Sequence, residues 1–346
     1  DGTKVLEPIN CIIPKYLAFL TEVLAFKIKD KGYARHYQHI EKELLPITSL
    51  PIQRAIVQKI ESYFDLLEKG IADLKTAQEQ LKVYRQAVLK KAFEGEFTKE
   101  WRMYNKQKRA DWKSYKLGEV LNTIDGDRGI NYPKKNEFLS DGYCLFLTTK
   151  NVRLGQFVFE ENQFITQEKD NTLKGGKLKR NDVVITTRGT LGNVAIYDDS
   201  IPFNHIRINS GMLILRVNDE KQLSQHFLMR FINSPLFFQQ LKSKQTGTAQ
   251  PQIPANILRE IEIYIPKDVA EQKQIIKEIE SRLSVCDKVE ENISESLEKA
   301  EALRQSILKK AFEGKLLSEE EIAKCKQEAD YESASVLMER IKKEKK

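Results

Sequence analysis

The chain has 346 residues, of which 40% are hydrophobic and 31% are charged. This length can bury more than one sizeable core, and the high charged fraction is typical of proteins with long exposed helices. The formal net charge of +7 is compatible with nucleic-acid binding and is too small to establish it.

The sequence shows no run of about 18 apolar residues and no secretory signal. Four cysteines lie far apart and lack metal-ligand spacing, namely Cys11, Cys144, Cys286 and Cys325. This pattern is typical of thiols in a reducing compartment and not of a disulfide framework or a zinc site. We therefore expect a cytoplasmic protein.

Residues 1–50 resemble, in gapped form, the end of a domain that recurs later in the chain. Residues 16–20 correspond to residues 226–231, and each stretch precedes a long helical pattern. Each is followed by an apolar segment with a proline, LLPI at residues 44–47 and IEIYIP at residues 261–266. We expect residues 1–50 to be the C-terminal part of a first globular domain.

Residues 51–97 predict a first long helix. Apolar residues recur at steps of three and four, as they do along a coiled-coil seam. They include Ile56, Ile60, Phe64, Leu67, Ile71, Leu74, Leu81, Tyr84, Val88 and Ala92. Pro51 suits a first helical turn, and Gly95 suits a left-handed cap after the last turn.

After a linker at residues 98–111, residues 112–266 have the composition of a mixed α+β domain. Apolar and β-branched runs separated by glycines predict strands. These runs lie at residues 144–149, 182–187, 193–198 and 211–217. Residues 225–242 predict one helix with an apolar face.

Residues 267–314 predict a second long helix with the same narrow seam. The seam includes Ile279, Leu283, Cys286, Ile293, Leu297, Ala300, Leu303, Ile307 and Ala311. Residues 315–346 predict a helical tail of mixed charge, which we expect to be solvated or frayed.

The two long helices are copies of each other. Residues 85–95 read RQAVLKKAFEG and residues 304–314 read RQSILKKAFEG, so nine of eleven positions are identical at an offset of 219 residues. The same offset aligns Gln53 with Gln272 without a gap. A duplicated pattern of this kind favours two helices packed as an antiparallel coiled coil, each a rod of roughly 60 Å. Packing of two amphipathic helices in an ordinary core is the alternative.

The motifs of common enzyme classes are absent from the sequence. It contains no phosphate-binding loop of the form GxxxxGK[ST], no GxGxxG after a strand and no GxSxG elbow. No cluster of histidine, cysteine and carboxylate residues has the spacing of a metal site. We expect the chain to perform no catalysis.

Basic and polar residues in the turns of the 112–266 domain are the candidate DNA contacts. Arg188 follows a strand and precedes Gly189, and a planar guanidinium in such a turn can reach the O6 and N7 atoms of guanine. Nearby lysines and hydroxyls suit phosphate groups. The full candidate set is Lys174, Lys177, Lys179, Thr187, Arg188, Thr190, Asn193, Asn204, Arg207, Lys242, Lys244 and Gln245.

This organisation resembles the specificity subunit of type I restriction-modification enzymes. The resemblance rests on LKKAFEG at residues 89–95 and 308–314, on VVITTRGTLGNVAI at residues 183–196, and on GTAQPQIP at residues 247–254. It implies an α+β fold, with target-recognition domains of mixed β-sheet and helices joined by two long helices in an antiparallel coiled coil.

The resemblance also implies the function. Each recognition domain would read one half of a split double-stranded DNA target, and the helix pair would hold the halves apart. Two methylation subunits would dock near the helix ends, where Leu89, Phe93, Leu308 and Phe312 are the candidate docking residues. Those subunits would hold S-adenosylmethionine, and motor and restriction subunits would use ATP and Mg²⁺. This chain itself would bind no cofactor and no metal.

The sequence departs from the family pattern at its beginning. The chain opens on Asp1, and only the last part of a first recognition domain is represented. If the rest is absent from the molecule, two chains could associate to supply the second reader. A non-catalytic coiled-coil scaffold with no role in DNA recognition is the alternative function.

Overall fold

The structure is a computed structural model that describes residues 5–27, 40, 43–244 and 252–344. It divides into two compact units. Unit 1 comprises Asp1–Gln80 and Lys288–Lys346, and unit 2 comprises Leu81–Asp287. The candidate contact Gln245 and residues 247–251 of the GTAQPQIP motif lie outside the described residues.

Helices account for the larger part of the described secondary structure. In chain order they are α1 (Pro14–Lys27), α2 (Leu50–Phe93), α3 (Lys99–Tyr104), α4 (Leu117–Val120), α5 (Gln167–Thr172), α6 (Gln225–Ile232), α7 (Pro235–Lys244), α8 (Ala255–Arg259), α9 (Val269–Phe312), α10 (Glu319–Cys325) and α11 (Ala334–Glu344). Short 3-10 turns lie at Glu96–Thr98, Arg109–Asp111, Lys135–Glu137 and Thr149–Asn151.

The described strands all belong to unit 2. They are β1 (Lys113–Lys116), β2 (Leu121–Asp125), β3 (Cys144–Leu147), β4 (Val152–Arg153), β5 (Gln156–Phe157), β6 (Phe164–Ile165), β7 (Asp182–Thr186), β8 (Val194–Tyr197), β9 (Ile206–Ile208), β10 (Met212–Val217) and β11 (Glu262–Ile265). Helices and strands therefore occur together, and the α+β fold class is confirmed.

The two long helices α2 and α9 have 44 residues each. In unit 1, Ile60 near the start of α2 shares a core with Leu308 near the end of α9. In unit 2, Leu89 near the end of α2 shares a core with Ile279 near the start of α9. In each unit, the start of one long helix therefore packs in a core with the end of the other.

The central sheet of unit 2 is antiparallel with strand order β2-β10-β7-β8. Alternate residues of β7 enter two different cores, because side chains of a strand point alternately to opposite faces. Val183 lies in a core with α6 and the ends of the long helices, whereas Val184 lies in a core with the smaller sheet β6-β3-β9. The central sheet is thus buried on both faces.

The single helix predicted for residues 225–242 is wrong, because the structure has two helices there. Helix α6 ends at Ile232, and Asn233 and Ser234 separate it from α7, which begins at Pro235. Proline has no backbone N–H and disfavours helical geometry in the residue before it, so a helix begins at this position more readily than it continues through it.

The C-terminal tail is packed in unit 1, so the expectation of a solvated tail is wrong. Cys325 at the end of α10 and Leu337 in α11 are buried. Lys59 on α2 donates hydrogen bonds of 2.8 and 2.6 Å to the carboxylate of Glu321 on α10. The Lys59–Glu321 contact attaches the tail to α2 within unit 1.

Within the described ranges, no helix combines the length and the low polarity that a membrane span requires. All four cysteines are buried, and none forms a disulfide bond within those ranges. Burial raises the pKa of the Cys144 thiol to about 12, which keeps this thiol protonated and unreactive.

Candidate nucleic-acid interface

The hairpin between β7 and β8 carries the exposed side chain of Arg188. Gly189 and Gly192 in this hairpin have φ angles of +71° and +79°. A Cβ atom on Gly192 would lie 2.7 Å from the ring of Phe238 on α7. Glycine at this position therefore permits both the left-handed turn and its close contact with α7.

The hydroxyl of Thr186 closes the base of the hairpin. Thr186 is fully buried, and its Oγ1 accepts a 3.0 Å hydrogen bond from the backbone N of Asn193 and donates to the carbonyl of Thr190. A buried hydroxyl bonded to both Thr190 and Asn193 fixes the path of the six residues between Thr186 and Asn193. The position from which Arg188 extends is therefore set by the core of unit 2.

Other loops meet the hairpin at the same edge of the sheet. The carbonyl of Gly211 accepts hydrogen bonds from the backbone N of Thr187 at 2.8 Å and of Arg188 at 3.2 Å. The carbonyl of Thr187 in turn accepts from the backbone N of Ile253 at 3.1 Å. Thr187 itself is buried, so its role is to hold the loops together.

Three glycines allow the backbones of further loops to pack closely together at this edge. A Cβ atom on Gly126 would lie 2.2 Å from the carbonyl oxygen of Asn209, and one on Gly175 would lie 2.9 Å from that of Asp125. One on Gly176 would lie 3.0 Å from the Cα of Gly126. We call the joined loops 125–129, 174–176, 187–192 and 209–211 the Arg188 edge.

Asp127 stabilises this junction. Its carboxylate accepts hydrogen bonds from the backbone N of Gly129 at 2.7 Å and of Lys174 at 2.8 Å. The bond from Gly129 is the main cause that lowers the pKa of Asp127 below its usual range. The carboxylate therefore stays ionised and keeps Lys174, whose side chain is exposed, within the Arg188 edge.

The remaining lysines of the 174–179 run lie elsewhere. Lys177 forms a 2.5 Å ion pair with the buried Asp170. Lys179 is exposed beside the start of β7, whereas Arg188 follows its end. Because a five-residue strand rises about 17 Å, the structure does not bring Lys179 and Arg188 together.

Arg207 was predicted in a loop, and the structure places it in β9 with 5% of its surface exposed. Its guanidinium donates to the Asp170 carboxylate at 2.5 Å and to the carbonyls of Asp170, Leu173 and Gly175. Burial raises the pKa of Asp170, but hydrogen bonds from Lys177 and Arg207 lower it by more. Arg207 is thus a structural residue and is unavailable to DNA.

The two candidate asparagines are also engaged within the domain. The Asn193 side-chain amide donates a 2.9 Å hydrogen bond to the carbonyl of Val152. Asn204 accepts a hydrogen bond of 3.2 Å from Arg180, at the end of the sheet opposite the Arg188 edge. Thr190, by contrast, is exposed within the hairpin beside Arg188.

Lys242 and Lys244 are exposed at the C-terminal end of α7. The pKa of Glu260 is lowered mainly by the hydrogen bond from Lys116 and more weakly by the charge of Lys244. Lys244 therefore lies near Glu260. Helix α7 contacts the hairpin through a different residue, Phe238. Gln245 lies outside the described residues.

Comparison with known proteins places these loops in a known family. Residues 109–299, more than half of the chain, match the type I restriction modification DNA specificity domain. The chain belongs to this family. The match spans the whole Arg188 edge and continues into α9.

Two curated relatives and two solved structures resemble this family member. The EcoBI specificity subunit of Escherichia coli is 25% identical over 88% of this chain and 65% of its own length. The EcoKI specificity subunit of Escherichia coli strain K12 is 23% identical over 99% of this chain and 74% of its own length. The chain thus spans slightly less than two thirds of the EcoBI subunit.

The solved structures are similar in fold. A chain from a type I R-M system described for its complex assembly and conformational transition aligns with a TM-score of 0.67 and 20% identity, over 88% of this chain and 72% of that chain. The HsdS subunit from Thermoanaerobacter tengcongensis aligns with a TM-score of 0.52 and 20% identity, over 88% and 71%.

Three of the four candidate docking residues of this family member are buried within their own units, and Phe312 is partly buried. In unit 2, Leu89 lies in the core and Phe93 packs against Phe227. In unit 1, Leu308 is fully buried and Phe312 packs against Tyr16. Leu89, Phe93 and Leu308 therefore hold the helix ends in place and form no exposed surface, whereas Phe312 keeps part of its side chain accessible.

The sequence-based set omitted two residues of the Arg188 edge. Asp127 and Arg128 follow β2 in the segment DGDRG at residues 125–129. Aspartate and glycine in alternation are a turn signal, and an arginine within such a turn meets the same criterion that selected Arg188. Within the described residues, no group of three or more histidine, cysteine and carboxylate side chains could hold a metal ion.

Proposed function

We propose that this chain is the sequence-specific DNA-binding specificity subunit of a type I restriction-modification complex and performs no chemistry itself. The observation that carries the proposal is the state of Arg188. Its side chain is exposed on a hairpin fixed by a buried hydroxyl, and it forms no hydrogen bond or ion pair with a described residue. A guanidinium that extends from a rigid hairpin and has no such partner suits bidentate recognition of guanine in the major groove.

A split target is supported by the duplication of the frame that holds the recognition domain. Gln272 at the start of α9 accepts a hydrogen bond from the backbone N of Ser224 and donates to the carbonyl of Gln222. Gln53 at the start of α2 makes the equivalent contacts with Ile13 and Cys11. Residues 112–266 would read one half-site, and the domain to which residues 1–50 belong would read the other.

Docking of two methylation subunits is supported by exposed apolar side chains that recur at the 219-residue offset. Leu66 in unit 1 corresponds to Val285 in unit 2, and they are 66% and 62% exposed. Leu303 in unit 1 corresponds to Tyr84 in unit 2, and both are about half-exposed. Large apolar residues exposed at equivalent helix positions suit two copies of one partner.

The proposal distributes the chemistry among the other subunits of a cytoplasmic complex. Methylation subunits would hold S-adenosylmethionine, and motor and restriction subunits would use ATP and Mg²⁺. This chain would contribute the DNA contacts and the helical frame.

Selection of DNA from a random-sequence duplex library tests the recognition function. The full chain is mixed with the library, and the retained duplexes are sequenced. We expect enrichment of one sequence pattern, and we expect Arg188→Ala to relax one position of it by about tenfold or more. Lys221→Ala, which removes an exposed charge after β10 at the end of the sheet opposite the Arg188 edge, is the matched control and should keep the pattern.

A library that shows no enrichment with the wild-type chain would favour the scaffold alternative. Docking is tested separately by measuring the mass of the complex with the methylation subunit. Leu66→Glu and Val285→Glu should each reduce the stoichiometry from two methylation subunits to one, and Lys69→Glu on the same helix should not. If each of the two variants still binds two methylation subunits, Leu66 and Val285 are not docking residues.

A further inference from the structure

Arg128 and Arg188 both contact the 209–211 turn. The Nη2 atom of Arg128 lies 2.9 Å from the Asp125 carboxylate and 3.4 Å from the carbonyl of Ser210. The next residue of the turn, Gly211, accepts the hydrogen bond from the backbone N of Arg188. The two arginines therefore contact adjacent residues of one turn.

The loop that carries Arg128 is held as firmly as the hairpin that carries Arg188. Asp127 binds the backbone of Gly129 and Lys174 on either side of the junction. At Gly126 the neighbouring backbone leaves no space for a Cβ atom. A loop fixed on both sides of Arg128 limits the conformational entropy that the side chain loses when it binds a ligand.

The side chain of Arg128 retains binding capacity. It is 53% exposed and its Asp125 partner is 50% exposed. A guanidinium carries five N–H donors, and the bonds of Arg128 to Asp125 and Ser210 both use Nη2. The outward N–H groups can bind an anion while the bond to Asp125 persists.

We propose that Arg128 binds a phosphate of the DNA backbone beside the base contact of Arg188, and that Asp125 orients this arginine and weakens its attraction for the phosphate. The inference rests on the proposed function and adds a residue with a different task. A phosphate contact sets the position of DNA without reading sequence. The Asp125 carboxylate opposes the phosphate charge, so it lowers affinity while it directs the side chain.

Substitutions of Arg128 and of Asp125 should change the affinity for DNA in opposite directions. Arg128→Ala should weaken binding to the enriched duplex and to an unrelated duplex by a similar factor of about ten. It should also reduce the slope of log affinity against log salt by about 0.9, as expected for one lost phosphate contact. Asp125→Asn should tighten binding to both duplexes about two- to fivefold, because it removes a negative charge beside the phosphate.

Charge-conserving substitutions separate the tasks of the two arginines. Arg128→Lys should keep most of the affinity, because an ammonium also binds phosphate as a point charge. Arg188→Lys should lose discrimination, because a lysine lacks the planar fork. The measurement is fluorescence anisotropy of the full chain with each duplex over a salt series, with Lys221→Ala as the control.

The outcomes distinguish this inference from the proposed function. If Arg188→Ala relaxes the sequence pattern while Arg128→Ala behaves as Lys221→Ala does, the function stands and the phosphate contact is refuted. If Asp125→Asn and Arg128→Ala both weaken binding equally, the pair is a structural brace and the inference fails. A wild-type chain that binds neither duplex would refute both.

Discussion

Phe93 packs edge-on against Phe227, with ring centroids 5.0 Å apart and ring planes at 67°. Phe312 and Tyr16 repeat this geometry at 5.2 Å and 68°. Phe93 and Phe312 occupy equivalent places in the duplicated motif LKKAFEG. The end of each long helix therefore packs on a shorter helix that lies N-terminal to the other long helix, α6 in unit 2 and α1 in unit 1, and an edge-on aromatic pair makes the contact in both units.

We expect Phe93→Ala to destabilise unit 2 by about 3–5 kcal/mol, because it leaves a cavity between α2 and α6. Urea unfolding followed by tryptophan fluorescence measures this, since Trp101 and Trp112 both lie in unit 2. Lys90→Ala, at an exposed position one turn away, should change the free energy of unfolding by less than about 0.5 kcal/mol. Equal stability of the two variants would return Phe93 to the list of candidate docking residues.

The buried side-chain amide of Gln272 should contribute as much to the free energy of unfolding as an apolar core residue does. Gln272→Leu would leave the backbone N of Ser224 and the carbonyl of Gln222 without their partner. Each orphaned group costs about 1–3 kcal/mol. The same urea experiment reports it, with Gln86→Leu at an exposed position of α2 as the control. A Gln272→Leu variant as stable as that control would show that water replaces both bonds.

The buried ion pair of Arg102 and Glu271 anchors the segment after α2 to the start of α9. Glu271 accepts from Arg102 at 2.7 Å, from Thr98 at 2.9 Å and from the indole N–H of Trp112 at 3.0 Å. Glu271→Leu should cost about 3–5 kcal/mol, because it leaves the Arg102 charge buried and unpaired. The double variant Arg102→Met with Glu271→Leu should be more stable than Glu271→Leu alone, since neither buried charge remains.

The surface pair Glu96 and Lys99 is the control for this prediction. Its members are 2.6 Å apart and about half-exposed, so Lys99→Ala should have an effect within about 0.5 kcal/mol. A double variant less stable than the single variant would contradict the account of the Arg102–Glu271 pair.

Acid should weaken the attachment of the tail in unit 1. The hydrogen bond from Lys59 is the main cause that lowers the pKa of Glu321 from 4.5 to about 2. A carboxylate whose folded-state pKa is depressed contributes stability above its unfolded pKa, and that contribution is lost as the pH falls from about 4.5 toward 2. We expect Glu321→Gln to lower the thermal midpoint slightly at pH 7 and to reduce its decline over this pH range.

Differential scanning calorimetry at several pH values measures the effect of Glu321. The contribution is small because the side chain is 39% exposed and screened by solvent. Glu319→Gln on the same helix, an exposed position, is the matched control. Parallel pH profiles for wild type and Glu321→Gln would contradict the assignment.

The long helices were predictable because their signal is local and repeated. An apolar period of three to four residues needs no knowledge of the partner, and the 219-residue offset shows that the pattern occurs twice. The division of residues 225–242 into α6 and α7 depends on Pro235. The tail was misjudged because its mixed charge resembles a solvated segment, whereas Lys59 and Glu321 meet only after the chain folds.

The candidate contacts were predicted less well, because neighbours in sequence separate along a strand. Lys179 and Arg188 flank β7 and lie at its two ends. Arg207 looks like a solvent-facing cation in the sequence, yet a carboxylate distant in sequence, Asp170, makes its burial favourable. Arg128 was missed because only the packing of Gly126 against Asn209 brings its loop to the edge.

The sequence by itself determined that two copies of a long helix enclose a mixed α+β domain, and it determined the family. Periodicity and repeated motifs are properties of the chain and need no knowledge of its folded contacts. Only the tertiary structure decided which polar residues share an edge, which arginine is buried and which helix residues are exposed. Hydrogen bonds such as those of Thr186, Asp127 and Gln272 join residues that are separated in sequence. Their energies depend on burial, which the order of residues does not state.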